Sequence, residues 1–328
     1  MSQTKNPMIG YGLLFAGVAL LPLLGAYPIF VMKVMCYALF ACAFNLLIGF
    51  TGLLSFGHAA FLGAAAYGAG HALKVWGLPV PLGLAFGVAA AALTGLVFGA
   101  LAIRRSGIYF SMITLALSQM LFFFFLQAQF TGGEDGLQAV PRGHLLGLNL
   151  ENDQLLYYLV LAIFVGAFWL IYRIVHSPFG QVLTSIRENE ARATSLGYDV
   201  ARFKLVAFVL SAALAGLAGA TKTLVLGFAT LTDAIWTTSG LVILMTLVGG
   251  MGTMIGPIVG ALVIIALENK IGDAGKLLAD LTGVQWFMGL GESVSLVTGL
   301  IFILCVLAFR RGIVGEIGHL LEKRRSGS

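Results

Sequence analysis

The chain has 328 residues, of which 59% are apolar and only 10% are charged. A soluble globular protein carries about 25% charged residues, so this composition excludes a soluble domain and indicates a membrane protein. The net charge of +5 does not indicate a nucleic-acid partner, because the Lys and Arg residues stand singly or in pairs at the ends of apolar runs, where they set membrane topology.

Ten apolar segments follow one another along the chain. A bilayer core of about 30 Å needs roughly 17 to 25 apolar residues per helix, and a helix satisfies its own backbone hydrogen bonds there. The third segment is short, and the sequence leaves open whether it crosses fully. We therefore predict an all-α polytopic membrane protein of about ten transmembrane helices, a single domain over residues 1–328. The predicted spans are residues 8–24, 29–50, 58–73, 80–103, 108–129, 155–175, 203–226, 232–249, 254–271 and 293–309.

The distribution of basic residues predicts that both termini are cytoplasmic. With that orientation, 13 of the 19 Lys and Arg residues lie on the inside, as the positive-inside rule requires. The same map places a loop over residues 130–153 in the periplasm. It leaves residues 176–202 and a tail over residues 310–328 in the cytoplasm.

The two long connections differ in character. The periplasmic loop opens with the turn-rich acidic stretch 131–136, which suits either a contact with a periplasmic partner or an ordinary solvated loop. In the cytoplasmic segment the sequence predicts a helix over residues 181–196, because Pro178 stands near the start of this helix and Gly197 is a natural stop at its end.

Polar residues interrupt the apolar pattern between the second and third spans. Irregular backbone at membrane depth persists only where it is buried in protein or lines a cavity, and in transporters it often marks the solute path. A second polar set lies at helical spacing in the fifth span. In both places the alternative is that these groups only satisfy one another or bond between helices. The candidate path residues are Asn45, Thr51, Ser55, His58, Thr114 and Ser118.

Other classes of site are missing from the sequence. No glycine-rich loop ends in Gly-Lys-Ser or Gly-Lys-Thr, so no ATPase is encoded, and the histidines and cysteines lack metal-ligand spacing. No catalytic constellation is present either, so we expect neither an enzyme nor a bound metal or cofactor. The charged residues Lys33, Lys222, Glu268 and Lys270 fall near span ends, where long side chains reach the bilayer surface. Energy then comes from a partner, or transport is passive.

Three motifs resemble one family. Residues 45–61, NLLIGFTGLLSFGHAAF, resemble the signature of the LivM/LivH-type permeases of branched-chain amino acid ABC importers. Residues 177–180, 186–191 and 196–198 (SPFG, IRENEA and LGY) are similar to that family's cytoplasmic loop, and residues 204–208 and 215–219 to its continuation. Residues 249–257, GGMGTMIGP, match a third motif. The motifs stand in the family's order, and the resemblance covers about residues 30–310.

The resemblance implies a permease subunit that forms the path for branched-chain amino acids across the bacterial inner membrane. It also implies partners: a second permease subunit of similar fold, two cytoplasmic ATPase subunits that hold ATP and Mg, a periplasmic solute-binding protein, and membrane lipid. A permease for urea or short-chain amides is the alternative within the family, and a passive channel or facilitator is the alternative outside it.

The resemblance further implies that the cytoplasmic segment is a coupling helix that sits in a cleft of an ATPase subunit. Its charges suit a polar rim, and small apolar residues supply the contact. The alternative is an amphipathic helix that lies on anionic lipid. The candidate coupling residues are Arg187, Glu188, Asn189, Glu190, Ala193, Leu196 and Gly197.

Overall fold

The computed structural model describes residues 7–25, 27–145, 148–282, 299–300, 303 and 312–316. Most of these residues are helical, as expected for an all-α chain, and turns and loops connect the helices. A small antiparallel pair of strands is formed by β1 (His144–Leu145) and β2 (Leu148–Asn149). The helices are α1 (Pro7–Leu20), α2 (Pro28–Thr51), α3 (His58–Lys74), α4 (Val80–Ala102), α5 (Ile108–Gln127), α6 (Asp153–Val175), α7 (Pro178–Glu188), α8 (Glu190–Ser195), α9 (Val200–Leu226), α10 (Trp236–Gly249) and α11 (Gly256–Thr282).

Within the described ranges, five helices are long and apolar enough to cross a membrane: α2, α4, α5, α6 and α9. They agree with five of the predicted spans to within a few residues. Helix α3 has 17 residues and α10 has 14, so both are short for a full crossing. The predicted span 293–309 lies outside the described residues, apart from 299, 300 and 303.

The core forms where α9 packs against α2, α3 and α4. Small residues allow these backbones to approach closely. A Cβ atom at Gly87 of α4 would lie 2.8 Å from the carbonyl oxygen of Ala65, and one at Gly95 would overlap the side chain of Ala212. Glycine is therefore required where α4 crosses α3 and α9.

Helix α5 lies at the edge of this core. Only 22% of the most apolar stretch of α5 is buried inside the protein, against 78% of the corresponding stretch of α2. Its outward side chains are large and apolar, so this face suits lipid or another subunit. The exposed large apolar residues on α5 are Ile108, Tyr109, Met112, Met120, Phe123 and Phe124.

Irregular backbone separates several helices. The predicted interruption at residues 52–57 is confirmed: Gly52, with φ of 77°, ends α2, and α3 begins at His58. The predicted span 232–249 begins later than expected, at Trp236, because Thr230 and Asp233 form a capping box around a short 3₁₀ turn, Leu231–Asp233. Its successor α11 continues past residue 271 to Thr282.

The prediction of one helix over residues 181–196 is wrong, because the segment contains two helices, α7 and α8. Asn189 has extended backbone, with φ of −155° and ψ of 96°, and its Oδ1 accepts a hydrogen bond of 3.0 Å from the backbone NH of Arg192. Asn189 therefore caps the start of α8 instead of continuing α7.

Candidate solute path and coupling site

Hydroxyl groups on α5 hold the irregular segment 52–57 in place. The Ser111 hydroxyl donates to the carbonyl oxygen of Leu54 at 2.6 Å, and the Thr114 Oγ1 accepts from the backbone NH of Phe56 at 3.2 Å. Backbone groups at membrane depth need such partners. The predicted path residue Thr114 thus stabilises the break between α2 and α3.

Two further path candidates bind backbone within or beside this segment. The hydroxyl of Thr51 donates to the carbonyl oxygen of Leu46 at 3.2 Å, and Ser55 Oγ accepts from the backbone NH of Gly57 at 3.2 Å. Both side chains are buried. Their polar atoms are therefore engaged in holding the turn.

The buried imidazole of His58 joins three helices. The Ser211 hydroxyl donates its proton to the carbonyl oxygen of Ala43 at 2.5 Å, so it accepts from His58 Nε2 at 2.8 Å. This arrangement places the proton of His58 on Nε2 and leaves Nδ1 as an acceptor. Nδ1 has no hydrogen-bond partner among the described residues. The rings around the imidazole are those of Phe40, Phe44, Phe61 and Phe208.

Asn45 connects α2 to the turn between α10 and α11. Its Nδ2 donates to the carbonyl oxygen of Thr253 at 2.9 Å, and its Oδ1 accepts from the backbone NH of Gly252 at 2.9 Å. A Cβ atom at Gly49 would overlap Asn45 Oδ1 and lie 2.8 Å from the Gly252 nitrogen. The amide thus uses both ends to hold this turn, and Gly49 leaves it the necessary space.

Arg187 brings the cytoplasmic segment to the same place. Its guanidinium donates to the carbonyl oxygen of Gly49, where a cation also interacts favourably with the C-terminal end of the α2 dipole. The Arg187 side chain passes close to Gly52, because a Cβ atom there would lie 3.0 Å from Arg187 Cγ. Helix α7 is therefore attached to the last turn of α2.

A polar cavity of about 180 Å³ lies beside this contact, between the end of α2, the start of α5 and the cytoplasmic segment. Glu190 and Lys204 form an ion pair of 2.7 Å in its wall. The residues that line the cavity and carry polar side chains are Thr51, Ser106, Arg187, Glu190 and Lys204.

The predicted coupling residues divide into an inward set and an outward set. Ala193 is only 2% exposed and packs with Ile186 and Val200, so it holds the segment together. Leu196 is 71% exposed, and Glu188 is exposed as well. Gly197, with φ of 86°, follows the end of α8. The outward set is the part of the segment that a partner can reach.

Ser118 differs from the other path candidates. Its side chain is fully buried, yet its hydroxyl has no hydrogen-bond partner among the described residues. The amide nitrogen of the adjacent Gln119 is also without one there. Helix α5 therefore carries unused polar groups in its middle.

An ion pair was missed from the sequence. The prediction that Lys222 reaches the bilayer surface is wrong: Lys222 is 6% exposed and pairs with Asp233, which is 2% exposed. The Lys222 ammonium also lies 5.8 Å from the ring centre of Tyr37. The available signal was an acidic residue shortly after the Gly227 turn that ends α9.

Comparisons with known proteins all point to membrane transport permeases. A family model described as the permease component of branched-chain amino acid transport systems matches residues 28–309. The high-affinity branched-chain amino acid transport permease LivM of Escherichia coli K12 is 27% identical over 288 residues, covering 78% of the chain and 68% of LivM. A probable LivH of Methanocaldococcus jannaschii is 29% identical over 52% of the chain and 50% of that protein. The ribose import permease RbsC of Bacillus subtilis is 30% identical over 55% of the chain and 51% of RbsC.

Proposed function

Because the chain belongs to the branched-chain amino acid transport permease family and is an ABC importer's permease subunit, we propose that it carries leucine, isoleucine and valine across the bacterial inner membrane. A second permease subunit of similar fold completes the path, and a periplasmic binding protein delivers the solute. The relatives' names support the solute class. Two cytoplasmic ATPases supply the energy and hold ATP and Mg.

The membrane orientation in this proposal has both termini in the cytoplasm and about ten spans. The contact of Arg187 with Gly49 and the hydrogen bonds of Asn45 support it. Through them the cytoplasmic segment, the end of α2 and the start of α11 meet at one side of the bundle. Alternating helices then place the 130–153 loop on the opposite, periplasmic side.

The single observation that carries the coupling role is the attachment of α7 to α2 through Arg187. An ATPase that docks against Glu188 and Leu196 moves α7. Arg187 passes that movement to Gly49, and Asn45 passes it on to the turn between α10 and α11. A passive channel has no need for such a connection.

The solute path in this proposal runs beside segment 52–57 and the middle of α5. Hydroxyl and amide groups fix the shape of its wall, and Ser118 offers a free hydroxyl to the solute. The proposed path residues remain Asn45, Thr51, Ser55, His58, Thr114 and Ser118.

Reconstitution tests this function. The chain is co-expressed with candidate permease, ATPase and binding-protein subunits from the same organism, and the complex is placed in liposomes. We expect uptake of radiolabelled leucine, isoleucine and valine that requires ATP and the binding protein. Uptake of urea or acetamide in place of these solutes supports the alternative permease, and leucine uptake without ATP supports a facilitator.

A further inference from the structure

The chain between α9 and α10 turns back into the helix bundle. Gly227, with φ of 75°, ends α9, and two residues of the non-helical chain that follows, Ala229 and Ala234, are buried. This return brings Asp233 to the level of Lys222, which lies one turn before the end of α9. Irregular backbone at such depth is typical of the solute sites of transporters.

The ion pair that results is unusual for its surroundings. The side chains of Lys222 and Asp233 are 8% and 3% exposed. Removing two charges from water is costly, and a well-packed apolar pair is often as stable or more so. Charged residues inside a membrane protein are rare and mark solute or ion pathways. The pair therefore points to a function beyond holding the helices together.

Polar and aromatic groups surround the pair. The ring of Tyr37 on α2 lies 5.8 Å from Lys222 Nζ. Tyr67 follows Gly63 by one turn of α3, and a Cβ atom at Gly63 would lie 2.6 Å from Ala234 Cβ. The Tyr67 hydroxyl is buried and has no hydrogen-bond partner in the described part of the chain.

The loop over residues 130–153 packs against the chain between α9 and α10. Leu137 and Ala229 exchange two backbone hydrogen bonds, of 2.8 and 2.9 Å, and the backbone NH of Val140 donates to Gly227 at 2.8 Å. These bonds join the periplasmic loop to the buried return between α9 and α10.

We infer that Lys222 and Asp233 form a transit site for the zwitterionic head of an α-amino acid, which exchanges with the internal ion pair. Lys222 Nζ binds the solute carboxylate, Asp233 binds the solute ammonium group, and the Tyr67 hydroxyl donates to the carboxylate. This inference rests on the proposed function, and it assigns the place where the charged end of the solute is held.

Charge balance explains why both residues are needed. The empty site holds one cation and one anion that neutralise each other. A zwitterion brings one more of each, so the loaded site is also neutral, and every charge keeps an opposite partner. A neutral solute such as urea or a sugar would leave the two protein charges with weaker partners. The site thus favours amino acids over uncharged solutes of similar size.

Leucine uptake by the full transporter in liposomes tests the site. The variant Lys222→Met with Asp233→Asn removes both charges, which avoids leaving one buried charge unpaired. We expect assembly with the ATPases and ATP hydrolysis stimulated by the loaded binding protein to persist, while uptake falls by about tenfold or more. A matched control removes the more exposed Arg142–Asp153 pair, of 2.7 Å, by Arg142→Gln with Asp153→Asn. The control should transport at the parental rate.

Tyr67→Phe keeps the inference testable if the double variant does not assemble. It deletes a hydroxyl without a partner among the described residues, so a purely structural site loses no hydrogen bond. We expect normal assembly and leucine uptake that falls by about tenfold, the size of effect that one hydrogen bond to a charged group produces. Parental uptake in Tyr67→Phe, or in an assembled Lys222→Met/Asp233→Asn, overturns the inference. A parental complex that carries no branched-chain amino acid instead contradicts the proposed function.

Discussion

The guanidinium of Arg187 donates a hydrogen bond to the carbonyl oxygen of Gly49, which attaches α7 to the last turn of α2. One turn earlier on α2, Asn45 binds the turn between α10 and α11 through both ends of its amide. Three elements that are distant in sequence therefore meet within two turns of one helix. In the proposed function, this meeting point is where events at an ATPase reach the membrane path.

Arg187→Ala should uncouple ATP hydrolysis from transport. Loss of a hydrogen bond from a charged donor costs about 1.5 to 3 kcal/mol, and α7 then moves without α2. We expect leucine uptake per ATP hydrolysed to fall by about tenfold while the ATPases still co-purify. The matched control is Arg202→Ala, since the Arg202 side chain is 86% exposed and its ion pair within the described residues is with the nearby Asp199. Equal coupling ratios in the two variants would contradict the role of Arg187.

Gly49→Ala should destabilise the protein by about 1 to 3 kcal/mol. The added methyl group would overlap Asn45 Oδ1 and crowd the Gly252 nitrogen, so the turn between α10 and α11 is displaced. Thermal unfolding in detergent should show a lower midpoint. Gly166→Ala on α6 is the control, because nothing lies within 4 Å of a Cβ atom there. A midpoint for Gly49→Ala at or above that of the control would refute the steric argument.

Leu196→Asp and Ala193→Trp should fail for different reasons. Leu196 is 71% exposed, so the aspartate should leave the thermal midpoint unchanged and reduce ATPase co-purification. Ala193 is buried against Ile186 and Val200, so the tryptophan should unfold the segment itself and lower the midpoint. Normal ATPase retention and uptake in Leu196→Asp would mean that the ATPase docks elsewhere.

Ser118→Ala and Ser111→Ala separate a path role from a structural role. The Ser118 hydroxyl has no partner among the described residues, so its loss should leave stability unchanged and reduce leucine uptake. The Ser111 hydroxyl holds the carbonyl of Leu54 at 2.6 Å, so its loss should cost about 1 kcal/mol. Unchanged uptake in Ser118→Ala would remove this residue from the path.

Cysteine labelling should place the two long connections on opposite sides. Glu134→Cys should react with a membrane-impermeant maleimide in intact cells, and Ser195→Cys only after the membrane is opened. Of the three native cysteines, Cys36 and Cys42 are buried and give little background, and Cys305→Ala removes the third. Labelling of both sites from the same side would contradict the orientation of α5, α6 and the cytoplasmic helices.

Local signals allowed some elements to be predicted from the sequence. Glycine and polar residues inside apolar runs correctly predicted the break at residues 52–57. The capping pattern of Asn189 followed by Glu190 also stood in the sequence, yet Pro178 near the start and Gly197 at the end favoured one continuous helix, and the cap decides the structure. Here a single side-chain hydrogen bond outweighs helix propensity.

Long-range pairings could not be predicted in the same way. Hydropathy places Lys222 near the end of a span, and only the chain reversal after Gly227 brings Asp233 beside it. Likewise, the sequence identified Asn45 as polar within an apolar helix, but its partners Gly252 and Thr253 are more than 200 positions away. Such contacts depend on how helices pack, which residue periodicity does not specify.

The glycine contacts of α4 have a consequence for motion. Helices that lack room for one methyl group at Gly87 and Gly95 cannot slide past one another without first separating, because packed interfaces shift between discrete arrangements. We expect α3, α4 and α9 to keep their mutual positions throughout a transport cycle. The movements that open the solute path to either side then involve elements at the rim of this fixed frame, chiefly α5, the α9–α10 return and the α10–α11 turn. Distances between α3, α4 and α9 should therefore stay constant during transport, while distances from these helices to the rim should vary.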